Sequence, residues 1–200
     1  MQPPDRIPTE RLMLRRWRTD DAALLKAAVD ASLAHLQAWM PWAMAEPTPL
    51  SGITDRLAGF VADFDAGREW LYGIFTPEEN EVLGGLGLHP RAPAEGDECA
   101  AADHVEIGYW LRAGVTGRGY ATEVTRGATA VAVGLPGIKR IEIRCDPRNV
   151  RSAAVPRRLG FRHVRTLPEN SVTPDGYPRD TMIWEWIQPS ESSAGTRLPD

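Results

Sequence analysis

Lysine is nearly missing from this chain. Lys26 and Lys139 are the only two, so arginine supplies almost all the positive charge. The formal net charge is -4 over 200 residues, which argues against the broad basic surface of a general nucleic-acid binder. Cysteine is scarce as well. Cys99 and Cys145 show no metal-ligand spacing and read as free thiols in a reducing compartment. No apolar run approaches the ~20 residues that a membrane-spanning helix needs. The opening Met-Gln-Pro-Pro-Asp-Arg has no apolar signal core. The expectation is a cytoplasmic protein with no membrane, nucleic-acid or metal partner.

What is present is ordinary for a globular chain, with 42% hydrophobic and 25% charged residues. The length fits one domain with a sizeable core. Residues 1–187 are expected to form it, and 188–200, rich in Ser, Gly and Pro, a disordered tail. Leu12, Leu14 and Trp17 among arginines predict a first strand near 10–18. Helices follow near 20–30, 32–39 and 52–66, the last with Ile53, Leu57, Phe60, Val61 and Phe64 on one stripe. Trp70 to Phe75 and Val82 to Leu88 read as strands, the second weakened or bulged by Gly84, Gly85 and Gly87. Strands at 104–112, 138–145, 161–167 and 180–187 are interleaved with helices at 118–133 and 149–158. Residues 89–103 and 169–178 read as polar loops. The first part of the sheet should be an antiparallel meander. The strand–helix–strand unit over 104–145 requires one parallel pair with a right-handed crossover.

Residues 105–123 carry the strongest signal. A strand, Val105-Glu106-Ile107-Gly108-Tyr109-Trp110-Leu111-Arg112, runs through a glycine-rich turn into a helix. A helix N-terminus leaves its first N–H groups without internal partners, and the helix dipole adds positive character there. Gly117 and Gly119 let an anion approach the backbone, and Arg118 adds a charge nearby. The turn is therefore a phosphate or pyrophosphate seat. Three folds place such a seat. A dinucleotide fold needs further βαβ units and a third glycine, where Thr122 stands, although Asp146 after the next strand fits it. A Walker loop needs Gly-Lys-Ser/Thr, which is absent. The third is a mixed sheet with one central βαβ unit holding the pyrophosphate of a long, thin cofactor.

The turn resembles the Q/R-x-x-G-x-G/A motif of the GNAT superfamily of acyl-CoA-dependent N-acyltransferases. Gly117, Gly119 and Ala121 match, and Gly114 stands where Gln or Arg is usual. Glu106-Ile107-Gly108-Tyr109-Trp110, Ala121-Thr122-Glu123 and Asn149…Ser152…Leu159-Gly160-Phe161 resemble the RimJ/RimL-like branch, the ribosomal-protein N-terminal acetyltransferases. So do Arg11-Leu12-Met13-Leu14-Arg15 and Leu36-Gln37-Ala38-Trp39-Met40-Pro41-Trp42. The likeness spans about residues 9–187. It implies a GNAT-like α/β domain: a mixed, mostly antiparallel seven-stranded sheet with one central parallel βαβ pair, flanked by helices. It also implies acetyl-CoA as co-substrate, a primary amine acceptor (a protein N-terminus or a small molecule) and a possible homodimer.

The resemblance also implies residue roles. The diphosphate would sit on Gly117, Arg118, Gly119, Tyr120 and Ala121, and the pantetheine arm along Trp110, Leu111 and Arg112. Backbone N–H groups near Trp110 or Leu111 would serve as oxyanion donors. Asn149 would bond the pantetheine amide or simply cap the helix. No tyrosine occurs between Asn149 and Gly160 to protonate the leaving thiolate, so Ser152 is the candidate acid. An amine arrives largely protonated, and Glu106 is the first candidate base. Tyr109, Asp103, His104 and His89 stand behind it. Trp39, Trp42 and Tyr109 would wall the acceptor site, although core packing explains the tryptophans equally well. Acids of the two polar loops, Glu95, Asp97, Glu98, Glu169 and Asp175, would steer a cationic amine. Arg112 would be the residue to greet a longer, anionic acyl group such as succinyl. No cysteine is placed with a base for a covalent acyl-enzyme. The rival reading is a catalytically inert acyl-CoA-binding module.

Overall fold

The computed structural model describes residues 2–93, 102–173 and 176–187. Cys99, Glu95, Asp97, Glu98, Asp175 and the tail expected at 188–200 lie outside the described residues. A single mixed sheet of eight strands organises the chain, in the order β1-β2-β3-β4-β5-β6-β8-β7. The strands are β1 (Arg6–Pro8), β2 (Met13–Arg16), β3 (Trp70–Phe75), β4 (Val82–Arg91), β5 (His104–Leu111), β6 (Arg140–Cys145), β7 (Arg162–Val172) and β8 (Pro178–Ile187). All neighbours are antiparallel except β5 and β6, which are parallel and joined through a helix as the chain order required. The helices are α1 (Ala22–Asp30), α2 (Leu33–Gln37), α3 (Leu50–Asp65), α4 (Tyr120–Val133) and α5 (Val150–Arg158).

The seven-strand expectation is corrected to eight. The single first strand expected at 10–18 is a hairpin, β1 with β2, in which Ile7 is buried opposite Leu14. β1 is three residues long with one apolar position and ends in proline, a pattern suited to a sheet edge and too brief to show periodicity. At the opposite edge the expected loop 169–178 is mostly strand. β7 runs to Val172 through two register shifts, with Glu169 at φ 46°, and β8 already starts at Pro178.

Period-two alternation divides the sheet into two buried faces. Tyr72, Ile74, Leu88, Val105, Ile107, Ile141 and Ile143 pack on one side, where Val124, Ala128 and Ala132 of α4 cover them. On the other side Phe75 and Val82 meet Trp17, Leu25 and Val29, Leu36, and Ile53 and Leu57 of α3. The expected irregularity in β4 falls at Leu83, beside Gly84, whereas Gly85 and Gly87 pair regularly with Trp110 and Gly108. These glycines are required for a different reason. A Cβ on Gly85 would stand 2.5 Å from Trp110 Nε1, and one on Gly87 2.3 Å from His89 Nε2. Both rings therefore lie flat across β4.

Candidate active site

The parallel pairing of β5 with β6 lasts three residues, from His104↔Arg140 to Glu106↔Glu142. Beyond it the strands part. β5 continues to Leu111 paired to β4 alone, so its edge toward β6 is open from Ile107 onward. An exposed strand edge offers unpaired N–H and C=O groups, able to bond an extended amide-bearing chain as an added strand would.

Two cavities meet at this fork. One, the turn lobe, encloses about 620 Å³ between β5, the glycine turn and α5, and includes Trp110, Leu111, Gly117, Gly119, Tyr120 and Ala121 in its lining. The other, the aromatic lobe, encloses about 730 Å³ on the far side, under Trp17, Trp39, Trp42, Phe60, Leu71 and Trp110. Trp39, Met40, Tyr109, Trp110, Asn149 and Ser152 line both. Reaction between ligands from the two lobes would occur at that shared wall.

In the turn lobe, α4 begins after Gly119, the N-cap residue, which takes φ 82° and leaves the helix start with no side-chain cap. Its first N–H groups are therefore free to meet an anion. Glu123, the one acid of the first turn, would repel such a guest, but it is fully engaged. Thr9 Oγ1 donates to it at 2.6 Å, the Arg11 backbone N–H at 2.7 Å and Arg11 Nε at 2.7 Å. These bonds outweigh burial and hold its carboxyl below the usual range. The Arg118 guanidinium turns back to the Gly114 carbonyl at 3.3 Å and does not face the lobe. The cations that do line it are Arg148, Arg151 and Arg158 of the β6–α5 turn and α5. Sequence reading missed them because arginine is so common in this chain that no one of them stands out. His35 lines the same lobe, and burial, aided by Arg151, holds its imidazole below the usual range.

At the shared wall, Asn149 Oδ1 accepts the Ser152 N–H at 3.1 Å, so Asn149 does cap α5. The Tyr109 hydroxyl donates to the Ser152 carbonyl at 3.1 Å and lies 3.3 Å from Ser152 Oγ. α5 itself carries no tyrosine, and the one beside Ser152 comes from β5. Burial pushes the Tyr109 phenol well above its normal range, so it stays protonated. Cys145 is close by, and burial pushes its thiol up to about 11. Near neutral pH it is a thiol, a poor nucleophile.

The other sequence candidates separate cleanly. Trp42 lines the aromatic lobe and meets Trp110 edge to face, ring centroids 5.8 Å apart. Glu106 lines neither lobe, and its carboxylate lies 3.6 Å from Arg91 Nε and 3.8 Å from Arg144 Nε. His104 is buried against Asp103 at 2.8 Å and Glu142 at 3.7 Å. Arg112 pairs with Glu81 at 2.5 Å, outside both lobes. His89 does line the aromatic lobe. The charge lining that lobe is mainly positive, Arg56, Arg144 and Arg179 against Asp146. Glu169, the one described member of the expected steering acids, is not in the lining.

The fork, the open strand edge and the uncapped helix suit a long ligand with an anionic end, laid along β5. The family model for the acetyltransferase (GNAT) domain matches residues 11–162. The chain belongs to the GNAT acetyltransferases and is an acyl-CoA-dependent acetyltransferase. It is 25% identical to the probable N-acetyltransferase YjcK of Bacillus subtilis (strain 168) over 142 residues, 71% of this chain and 75% of that protein. Its fold is similar to Mycobacterium smegmatis RimJ in complex with CoA-disulfide, with a TM-score of 0.78, 25% identity and coverage of 94% and 90% of the two chains. It is also similar to RimL, the ribosomal L7/L12 alpha-N-protein acetyltransferase, in complex with coenzyme A (0.78, 23%, 91% and 97%). The microcin C7 self-immunity acetyltransferase MccE, in complex with acetyl-CoA and AMP, shares the fold as well (0.78, 19%, 90% and 93%).

Proposed function

We propose that the protein transfers an acetyl group from acetyl-CoA to the primary amine of an acceptor whose body is apolar or aromatic, by direct attack with both substrates bound. The observation that carries this reading is the pair of lobes meeting at Tyr109 and Ser152. The turn lobe fits the co-substrate. Backbone N–H groups at 117–121 would hold the diphosphate, Arg151 and Arg158 supply positive charge, and the open edge at 107–111 together with Asn149 would bond the pantetheine amides. Backbone N–H groups near Trp110 and Leu111 would meet the thioester oxygen. Ser152 Oγ, with the Tyr109 hydroxyl 3.3 Å away, would supply the hydroxyl that meets the leaving sulfur. The aromatic lobe takes the acceptor, with Trp39 and Trp42 as wall and its arginines suited to an anionic group on the acceptor. MccE, with AMP bound, is a relative whose ligand carries such a group. Acetyl is favoured over succinyl because Arg112 is committed to Glu81.

Thiol release from acetyl-CoA, followed over a panel of aromatic amines, amino-acid derivatives and N-terminal peptides, tests the reading. Turnover is expected on apolar acceptors, and Ser152→Ala should slow it about 10- to 100-fold with acetyl-CoA affinity unchanged. Tight acetyl-CoA binding without turnover on any amine would favour the inert binding module instead.

A further inference from the structure

His89 and Glu69 form a pair whose arrangement is that of a base with its orienting carboxylate. Glu69 lies just before β3, twenty residues from His89 on β4, and its Oε2 is bonded to His89 Nδ1. The other oxygen takes Arg91 at 2.9 Å. Those bonds outweigh burial and keep the Glu69 carboxyl below its usual range, hence ionised. An ionised acceptor on Nδ1 requires a proton there, so in the neutral form of the ring the lone pair is the one on Nε2. Nε2 lies over the glycine pair Gly87↔Gly108, 3.3 Å from where a Cβ on Gly108 would be. Gly108 is the second residue past the last β5–β6 pair, so this is the floor of the opening fork. Trp110, on the same face of β5, lines both lobes.

We propose that His89, oriented by Glu69, is the base that takes the proton from the acceptor amine. The inference rests on the N-acetyltransferase reading above. An ammonium proton moves to Nε2 and later to solvent. The freed lone pair forms the C–N bond as the C–S bond breaks, and the second amine proton passes to the leaving thiolate through the hydroxyls at the shared wall. Glu106, the register partner of His89, is the rival, but it is flanked by two guanidiniums and lines neither lobe. The charged groups around His89 are Glu69 just before β3, Arg91 on its own strand and Glu106 on β5, with Arg56, Arg144, Arg179 and Asp146 lining the same lobe.

Two measurements test it. The first uses the free protein. The ¹⁵N shifts of the His89 ring should report an Nδ1–H tautomer with bare Nε2, disturbed by Glu69→Gln. A proton on Nε2 in the neutral ring overturns the assignment. The second is kinetic. His89→Gln should lower kcat/KM about 100-fold near neutral pH, with acetyl-CoA affinity within twofold as the check on folding. The deficit should shrink at high pH, where the amine needs no base, and added imidazole should partly restore His89→Ala. A deficit constant with pH, or an acid-side fall in kcat/KM that disappears in Glu106→Gln and persists in His89→Gln, overturns the proposal while leaving the N-acetyltransferase reading intact. A wild-type protein inert on every acceptor overturns that reading itself, and the ring shifts still judge His89.

Discussion

The two lobes are built on different principles. The turn lobe is largely a backbone device, with a helix start left uncapped at Gly119, a strand edge left unpaired after Glu106 and a carboxylate silenced by Arg11 and Thr9. The aromatic lobe is a side-chain device, assembled from α1, the turn after α2, α3, five strands and the start of α5, with rings and guanidiniums as its surface. Backbone donors do not depend on which side chain stands beside them. That explains why Gly114 can occupy a position where the family usually has Gln or Arg: a Cβ there would meet nothing within 4 Å. A lobe made of side chains changes with every substitution. One lobe should therefore fix what all relatives share, and the other what distinguishes this chain.

The hardest test of that division is to spoil the backbone device alone. Gly119→Val puts a β-branched residue at φ 82°, a region closed to it, and crowds the anion seat. Acetyl-CoA binding, read by calorimetry, should weaken on the order of 100-fold, or about 2.7 kcal/mol. The KM for the amine at saturating acetyl-CoA should move less than threefold. Equal losses in both would mean the lobes are not separable.

The same contrast explains what the sequence disclosed. The glycine turn is legible because its parts are contiguous. Strand, glycines and helix follow one another within 105–123, and local geometry implies an anion whatever the rest of the fold does. The Asn149–Ser152 spacing is likewise one helical turn and is found as such. The aromatic lobe brings together residues far apart in the chain. Glu69 and His89 meet only because β3 and β4 pair, and no spacing rule marks them. Tyr109 reaches Ser152 across the fork, so a search of α5 alone finds no tyrosine. Glu106 is apt by its place on β5, but the guanidiniums that occupy it come from β4 and β6. The β4 glycines read as weakness from composition. Only the flat rings of Trp110 and His89 give their purpose.

A smaller effect is expected from the side-chain device. Trp42 is 38% exposed and holds its place through the edge-to-face contact with Trp110. Such a ring pair contributes about 0.5–1.5 kcal/mol beyond its buried area. Trp42→Ala should raise KM about 10-fold for an aromatic amine and much less for a small aliphatic one. Acetyl-CoA affinity should stay within twofold. An unchanged ratio between the two amines would mean that Trp42 packs the wall without reading the acceptor.

The smallest effect concerns the closed end of the fork, on which both lobes depend. Glu142, the last β6 residue paired to β5, is buried. It accepts bonds from Arg144 at 2.9 Å and Arg140 at 3.1 Å. Burial alone would raise its pKa. The two arginines, with His104 nearby, reverse that and hold it below the usual range. A carboxyl depressed in the folded state adds stability above its unfolded pKa of ~4.3 and loses it as pH falls through the folded value. Removing one partner of a fully buried pair costs ~3–5 kcal/mol. Here both arginines are about one-third exposed, so solvent screens the pair and about 1 kcal/mol is expected. Glu142→Gln should therefore melt about 2–4 °C lower than wild type at pH 7. The two melting curves should converge as pH falls below the unfolded value and through the lower folded one, where the wild-type carboxyl protonates. A gap that persists undiminished in acid would assign the loss to packing rather than charge, and the fork would then be held by the sheet pairing alone.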